Sequence, residues 1–300
     1  MLGAIPVLIG VVLLIFLMLR VIPGNPVLTL LGEHYNDQTI ARLTESMGLD
    51  QPIMVQFFKY VGGLFRGDLG TSYKYSRPVF EMIREAFPNT LKLACMGVIF
   101  AWIVGLVSGV IAAIRQNKLL DRMFMGFALI GVSMPVFMTS LFLQYLLAFK
   151  LKWFPLTSTA GSFAAMVLPA IALGWNSAGS IARMTRSSLI EVMQADYIDT
   201  AKAKGLHKAA VIMKHALKNS LLPVITMMAL QLASMLSGAV ITETVFAING
   251  IGRLATTAIG NRDMPVLQGT ILFTTVIVII GNLLADVLYS VLDPRIRKGN

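Results

Sequence analysis

"TLKLACMGVIFAWIVGLVSGVIAAI" occupies residues 90–114 and carries no charged side chain after Lys92. It is longer than the roughly 20 residues that a helix needs to cross a bilayer. Backbone amides in hydrocarbon must be satisfied within the segment or in a closed barrel. The run is continuously apolar rather than alternating, which predicts a helix. Small residues recur at every fourth position, Gly97, Ala101, Gly105, Gly109 and Ala113. Four-residue spacing keeps them on one face, where small side chains let two helix backbones approach closely.

Comparable apolar runs lie at 4–23, 123–149, 163–183, 222–246 and 265–292, making six. The whole composition agrees. Of 300 residues 56% are hydrophobic and 13% charged, against about 25% charged in soluble domains, and mean hydropathy is +0.74. The expected fold is an all-α polytopic membrane protein, one transmembrane domain over 1–300, with six spans and both termini on one side.

The net charge of +10 does not point to nucleic acid, because of where the charges lie. Arg115, Lys118 and Arg122 flank the turn after span two. Arg183, Arg186, Lys202, Lys204, Lys208, Lys214 and Lys218 separate spans four and five, and Arg295, Arg297 and Lys298 close the chain. The opposite short loops hold only Lys150, Lys152, Arg253 and Arg262. The positive-inside rule makes the first set cytoplasmic, with a cytoplasmic loop at 184–221 and both termini in the cytoplasm. The loop at 24–88 is then extracytoplasmic. "MLGAIPVLIG" lacks a basic leader and "RVIPGNP" lacks a small-x-small cleavage pattern, so the first run reads as a retained span.

The 24–88 loop reads as folded into short amphipathic helices over the outer mouth of the membrane domain, the last of them opened by Pro78 and ending before span two. Asn36 and Asp37 are cap candidates for a helix that Gly48 would end in the left-handed conformation. Pro52 and Pro78 suit first helical turns, and "RGDLGTS" is turn chemistry. In span three, Pro135 frees a carbonyl that Ser133 or water could satisfy, which predicts a kink. In span five, Gln231, Ser234, Gly238 and Thr242 share one helix face. That stripe reads either as interhelical hydrogen bonding or as the lining of a translocation path. Glu243 and Asp286 sit near span ends, where snorkelling toward water is expected. The single cysteine, Cys95, reads as a small buried hydrophobe and permits no disulfide framework or zinc spacing.

No phosphate loop, H-E-x-x-H or G-x-S-x-G occurs, so the chain itself has no recognisable nucleotide or hydrolase site. His207 and His215 lack Cys or carboxylate partners at ligand spacing. No catalytic constellation, cofactor site or metal site is expected.

The stretch "DYIDTAKAKGLHKAAVIMKHALKNSLLP", residues 196–223, interrupts the apolar chain. Asp196 is a candidate N-cap with Asp199 three residues on, and Gly205 is a plausible terminator. A second helix can follow, with Ala210, Met213, Leu217 and Leu221 on one face and Lys208, His215 and Lys218 on another. Its apolar stripe suits a membrane interface, and Pro223 opens span five.

This helix, glycine corner and helix resembles the "EAA" loop of ATP-binding-cassette importer permeases. Ala201, Gly205 and Leu217 match its consensus and Asp199 keeps the acid, whereas Thr200, His215 and Lys218 depart. The departures are similar to the peptide, opine and nickel branch, as are "LRVIPGNP", "MGLDQP", "GDLGTS", "PNTLKL", "RMTRSS", "ITETVF" and "LDPRIR". The resemblance implies a type I importer permease of the bacterial inner membrane. It implies a coupling loop of Asp199, Thr200, Ala201, Gly205, Leu206, His215 and Leu217 that docks on a separate ATPase. Implied partners are a homologous second permease, two P-loop ATPases that use ATP and Mg, an extracytoplasmic solute-binding protein and a peptide-like substrate. Members commonly open with a basic segment that "MLGAIP" lacks, so either upstream residues or a short N-terminus is expected. The usual aromatic-Pro-Gly of the last outer loop reads here as Ile248, Asn249 and Gly250.

A channel or secondary carrier for small polar solutes would predict charged or ion-coordinating groups near the midplane, which are lacking. A membrane-embedded enzyme lacks a nucleophile–base pair, and a polybasic scaffold does not explain six spans. Without a His, Cys or carboxylate cluster bare nickel is disfavoured, whereas a metal chelate, glutathione or a short peptide remains open.

Overall fold

Each of the six long apolar runs coincides with helix in the computed structural model, which describes residues 4–21, 37–46, 48–158 and 163–292. The helices are α1 Ala4–Val21, α2 Asp37–Ser46, α3 Ile53–Phe65, α4 Val79–Ile114, α5 Leu119–Ser133 and α6 Val136–Leu143, the last extended by a π-helical segment Gln144–Lys150. They continue with α7 Phe163–Met193 and α8 Asp196–Ala203. A helical start at Lys208–Ala210 runs through a π-helical segment Val211–Ala216 into α9 Leu217–Val245, followed by α10 Ile251–Asn261 and α11 Met264–Leu292. Among the described residues there is no strand, only an isolated bridge between Thr71 and Pro78.

By length and composition, α4, α7 and the Met264–Leu283 part of α11 can each cross a membrane, and α5 with α6 makes a fourth if that bent pair is one span. The signals at the loop ends hold where they are described. Gly48 takes φ +65° after α2, with its N–H on the Glu45 carbonyl, and Pro52 directly precedes α3. Asn36 and residues 24–35 lie outside the described residues.

Several expectations are corrected. The helix opened by Pro78 does not stop before span two. It runs through Pro88 as the single 36-residue α4, because proline removes one ladder bond without forbidding the helix on either side. Pro135 produces a break rather than a kink, with α5 and α6 bent by 114°. Cys95 is exposed, since the buried face of α4 there runs through Leu93, Ala94 and Val98. Glu243 does not snorkel; it is wholly buried. The side chain of Asp286 lies outside the described residues. The amphipathic helix α10, between spans five and six, was not expected at all.

The chain divides into two compact units. The first comprises residues 1–90 and 249–277. Its core gathers Val79, Ile83, Ala86, Ile251, Ala258, Val266 and Leu267, with Phe87 set edge-on to Phe273 at 5.2 Å. Here α3 lies on α1 through Phe57 against Phe16, ring centroids 5.1 Å apart.

The second unit comprises residues 91–248 and those from 278 onward, with α7 at its centre. The small-residue stripe does what its spacing predicts. A Cβ on Gly105 would stand 2.7 Å from Ile181, and one on Gly109 2.6 Å from the Ala182 carbonyl oxygen. From the other helix, a Cβ on Gly174 would stand 2.5 Å from the Gly97 carbonyl oxygen. Only glycine permits α4 and α7 to pack this closely.

Candidate functional site: the Gly205 corner and the polar stripe

Helix α8 begins after Ala195 rather than at an Asp196 cap, and no side chain caps it. Its acids contribute charge at the positive helix end instead, and Asp199 pairs with Lys202 at 2.8 Å. The helix ends as expected. Gly205 adopts φ +76°, a conformation that costs an L-residue roughly 1–2 kcal/mol, and its N–H meets the Lys202 carbonyl at 2.9 Å. The next helical turn is capped by His207, whose Nδ1 accepts the Ala209 N–H at 3.3 Å.

The resembled loop residues divide into two groups. Ala201 is buried in a cluster with Leu189, Ile198, Val211 and Ala216, against which Leu217 packs. Asp199, Thr200, Gly205 and Leu206 are exposed, as is every residue from 202 to 209. His215 is half-buried, and its carbonyl accepts from Asn219. Thus Ala201 and Leu217 anchor the corner, Gly205 bends it, and Asp199, Thr200 and Leu206 present a surface.

The predicted second helix buries a different face. Met213 is 60% exposed, while Val211, Ile212 and Ala216 are buried. A π-turn closes i to i+5 bonds, so Val211 and Ala216 stack where a regular 3.6 period would have stacked Ala210 and Met213.

Five side-chain contacts that the sequence did not disclose hold this region. Arg186 of α7 forms a two-pronged pair with Asp121 of α5, Nε to Oδ1 at 2.6 Å and Nη2 to Oδ2 at 2.7 Å. Asp121 also accepts the Asn117 N–H at 2.8 Å, so the turn after α4 is tied to α7. Ser188 donates to the Ser220 carbonyl at 2.9 Å, and Asn219 donates to the Tyr197 hydroxyl at 3.0 Å. The remaining contact closes the α5–α6 break. Proline at 135 has no N–H for the Gly131 carbonyl, and Asn176 of α7, not Ser133, approaches the Gly131 and Val132 carbonyls at 3.4 and 3.3 Å.

The span-five stripe is not uniform. Gln231 is half-buried, Ser234 exposed and Thr242 wholly buried, with Gly238 in the helix between them. Ser234 bonds back to the Gln231 carbonyl at 2.9 Å. Gln231 Oε1 and Thr242 Oγ1 are buried without a hydrogen-bond partner. Among the described residues no group of His, Cys, Asp or Glu could hold a metal ion.

In the first unit, sequence signatures clasp one another. Asn89 donates to the Asn249 carbonyl at 2.9 Å and Thr90 Oγ1 accepts the Ile251 N–H at 2.8 Å. The buried Asp263 carboxylate accepts from the Ser72 hydroxyl and from the Tyr73 and Lys74 N–H groups. "PNTLKL" and "GDLGTS" therefore secure the first and last inter-span loops within that unit.

Residues 105–298 match the family described as the binding-protein-dependent transport system inner membrane component, and residues 1–94 match its N-terminal companion. The chain is 42% identical to the dipeptide transport system permease DppB of Alkalihalophilus pseudofirmus, covering 98% of this chain and 96% of that one. It is 39% identical to the glutathione transport system permease GsiC of Salmonella paratyphi A, covering 99% and 97%. Among solved structures, the inward-facing methionine transporter MetNI superposes with a TM-score of 0.59 at 17% identity, over 71% of this chain and 97% of that one. That likeness bears on the fold alone. With both family regions matched and relatives aligned end to end, the chain belongs to the inner-membrane permease family of binding-protein-dependent ATP-binding-cassette importers.

Proposed function

We propose that this permease forms, with a homologous second subunit, the path by which an ATP-driven importer moves peptides or peptide-like solutes, and that the Gly205 corner is where a separate ATPase docks. The observation that carries the reading is the two-sided build of the corner. Ile198 and Ala201 are buried beneath it, while residues 202–209 are all exposed. A surface so anchored transmits a push to α7 and α9 instead of bending away from it. Two P-loop ATPases would hold ATP and Mg, and an extracytoplasmic binding protein would deliver solute. The basic residues at 183–218 support a cytoplasmic corner and cytoplasmic termini in the inner membrane.

Substrate class follows from chemistry and from relatives together. Relatives that span the whole chain are named for dipeptides, di- and tripeptides and glutathione, all short amide-linked acids. Gln231 and Ser234 supply an amide and a hydroxyl with accessible surface on one face of span five, which suits a path that solvates a polar solute, while Gly238 adds no side chain between them and Thr242, which is wholly buried.

The test is Gly205→Pro in the reconstituted importer. Proline cannot take φ +76° or donate to Lys202, whereas no neighbour lies within 4 Å to clash. The complex should still reach the membrane but lose dipeptide uptake and peptide-stimulated ATP hydrolysis, with Gly205→Asn largely retaining both. Unchanged stimulation in Gly205→Pro would overturn the docking assignment.

A further inference from the structure

Within the second unit, α4, α5 and α7 enclose a groove of about 220 Å³. Phe100, Phe124, Phe127 and Trp175 wall it, over a floor of Ala178 and Ala182. Its two polar side chains are spent on backbone: Ser108 donates to the Val104 carbonyl at 2.6 Å and Trp175 Nε1 to the Phe127 carbonyl at 3.4 Å. Val104 lines the groove yet is 41% exposed, and Phe127 55%, so it opens sideways from the bundle. With no free group to hydrogen-bond, the groove suits a hydrocarbon chain rather than a polar solute. A helix, about 10–12 Å across with its side chains, is too wide to enter.

The charges at one end decide which hydrocarbon fits. The groove runs toward the α4–α5 turn, where the Asp121–Arg186 pair closes it, Asp121 standing three positions before Phe124 and Arg186 four after Ala182. Arg115 follows Ser108 by seven positions and Val104 by eleven, which puts it on the same face of α4. Lys118 stands in the turn itself, directly ahead of α5. Both side chains are exposed, and neither enters an ion pair among the described residues. Between Glu85 and Glu191 the sequence has one acid, Asp121, and its carboxylate is taken up by Arg186 and the Asn117 N–H. The mouth of the groove therefore carries two uncompensated cations. Arg122, two positions before Phe124, falls on the far side of α5 and is not counted with them.

We propose that this groove holds an acyl chain of an anionic phospholipid whose headgroup phosphate rests on Arg115 and Lys118. A guanidinium forks two donors onto a phosphate, a lysine adds a point charge, and basic residues beside a spanning helix attract anionic lipid. With the topology proposed above, the lipid belongs to the inner leaflet. It lies against the α4–α5–α7 seam, beside the helix that leads into the Gly205 corner.

The experiment uses the complete importer in phosphatidylethanolamine nanodiscs. They are doped with a trace of phosphatidylglycerol carrying a photoactivatable carbene precursor at its acyl end, or with the same probe bearing an ethanolamine headgroup. Peptide mass spectrometry locates the crosslinks, and labelling of the exposed Phe142 and Tyr145 on the α6 segment is the internal standard for a folded chain. The phosphatidylglycerol probe should label residues 100–108, 124–128 and 175–182 about tenfold more than the ethanolamine probe, as expected for two cations near a headgroup. Arg115→Gln with Lys118→Gln should erase that difference while leaving the ethanolamine signal, and Arg115→Lys with Lys118→Arg should keep it. Ser108→Phe, which fills the groove, should abolish groove labelling by both probes. Equal labelling by the two probes in wild type reduces the groove to a contact with bulk lipid and overturns the proposal. A preference that survives Arg115→Gln with Lys118→Gln, or groove labelling that survives Ser108→Phe, does the same. Absence of groove labelling by either probe assigns the face to a protein partner and also overturns it.

Discussion

Replacing Gly109 by alanine and, separately, Gly126 by alanine subjects the α4–α7 packing to a test in which sign matters more than size. Both glycines lie inside helices, where alanine is favoured over glycine by about 1 kcal/mol. At Gly126 nothing lies within 4 Å of an added Cβ, so that preference should appear as a gain in stability. At Gly109 the added Cβ would stand 2.6 Å from both the Ala182 carbonyl oxygen and Thr185 Cβ. Ordinary contact begins near 3.4 Å, so relief requires the helices to separate by about 0.8 Å. One of the opposing atoms is backbone and cannot rotate away. Overpacking of this kind costs about 1–3 kcal/mol, which leaves Gly109→Ala net destabilised by up to about 2 kcal/mol. Thermal unfolding in detergent, followed by tryptophan fluorescence, reads both variants, because Trp102 and Trp175 lie on α4 and α7. Equal stabilisation of the two variants would refute the close packing.

Breaking the Asp121–Arg186 pair with Asp121→Asn should cost about 2 kcal/mol, below the 3–5 kcal/mol of fully buried pairs, because the Arg186 side chain is 26% exposed. Reversal with Asp121→Arg and Arg186→Asp together should recover part of the loss, and strictly additive single variants in a double-mutant cycle would remove the pair from the account. Asn176→Leu leaves the Gly131 and Val132 carbonyls without their side-chain donor. It should cost about 1 kcal/mol and speed amide exchange over residues 130–136, so unchanged exchange would argue against Asn176 as the closure of the break.

Helical membrane segments were legible in the sequence because bilayer thickness and backbone satisfaction leave few alternatives to a long apolar helix. The Gly97 to Ala113 stripe was legible because four-residue spacing defines a face locally. Gly48 and Gly205 were legible because a left-handed terminator depends on one residue. The path stripe was only half legible: period placed Gln231 and Thr242 on one face, but period cannot say which neighbour covers Thr242 and leaves Ser234 open.

What escaped the sequence is what depends on distant partners. Asp121 and Arg186 are 65 positions apart, and Ser72 and Asp263 are 191 apart, so no local pattern links them. The π-turn at 211–216 rotated the buried face because tertiary packing overrode the 3.6 period, and Pro135 became a break because Asn176 could receive the freed carbonyls. The sequence by itself determined a helical membrane chain with a basic, glycine-bent corner, since those properties arise from composition and neighbours along the chain. Only the tertiary structure decided which signatures clasp one another and which residues anchor the corner, because burial and pairing are set by groups that meet only after folding.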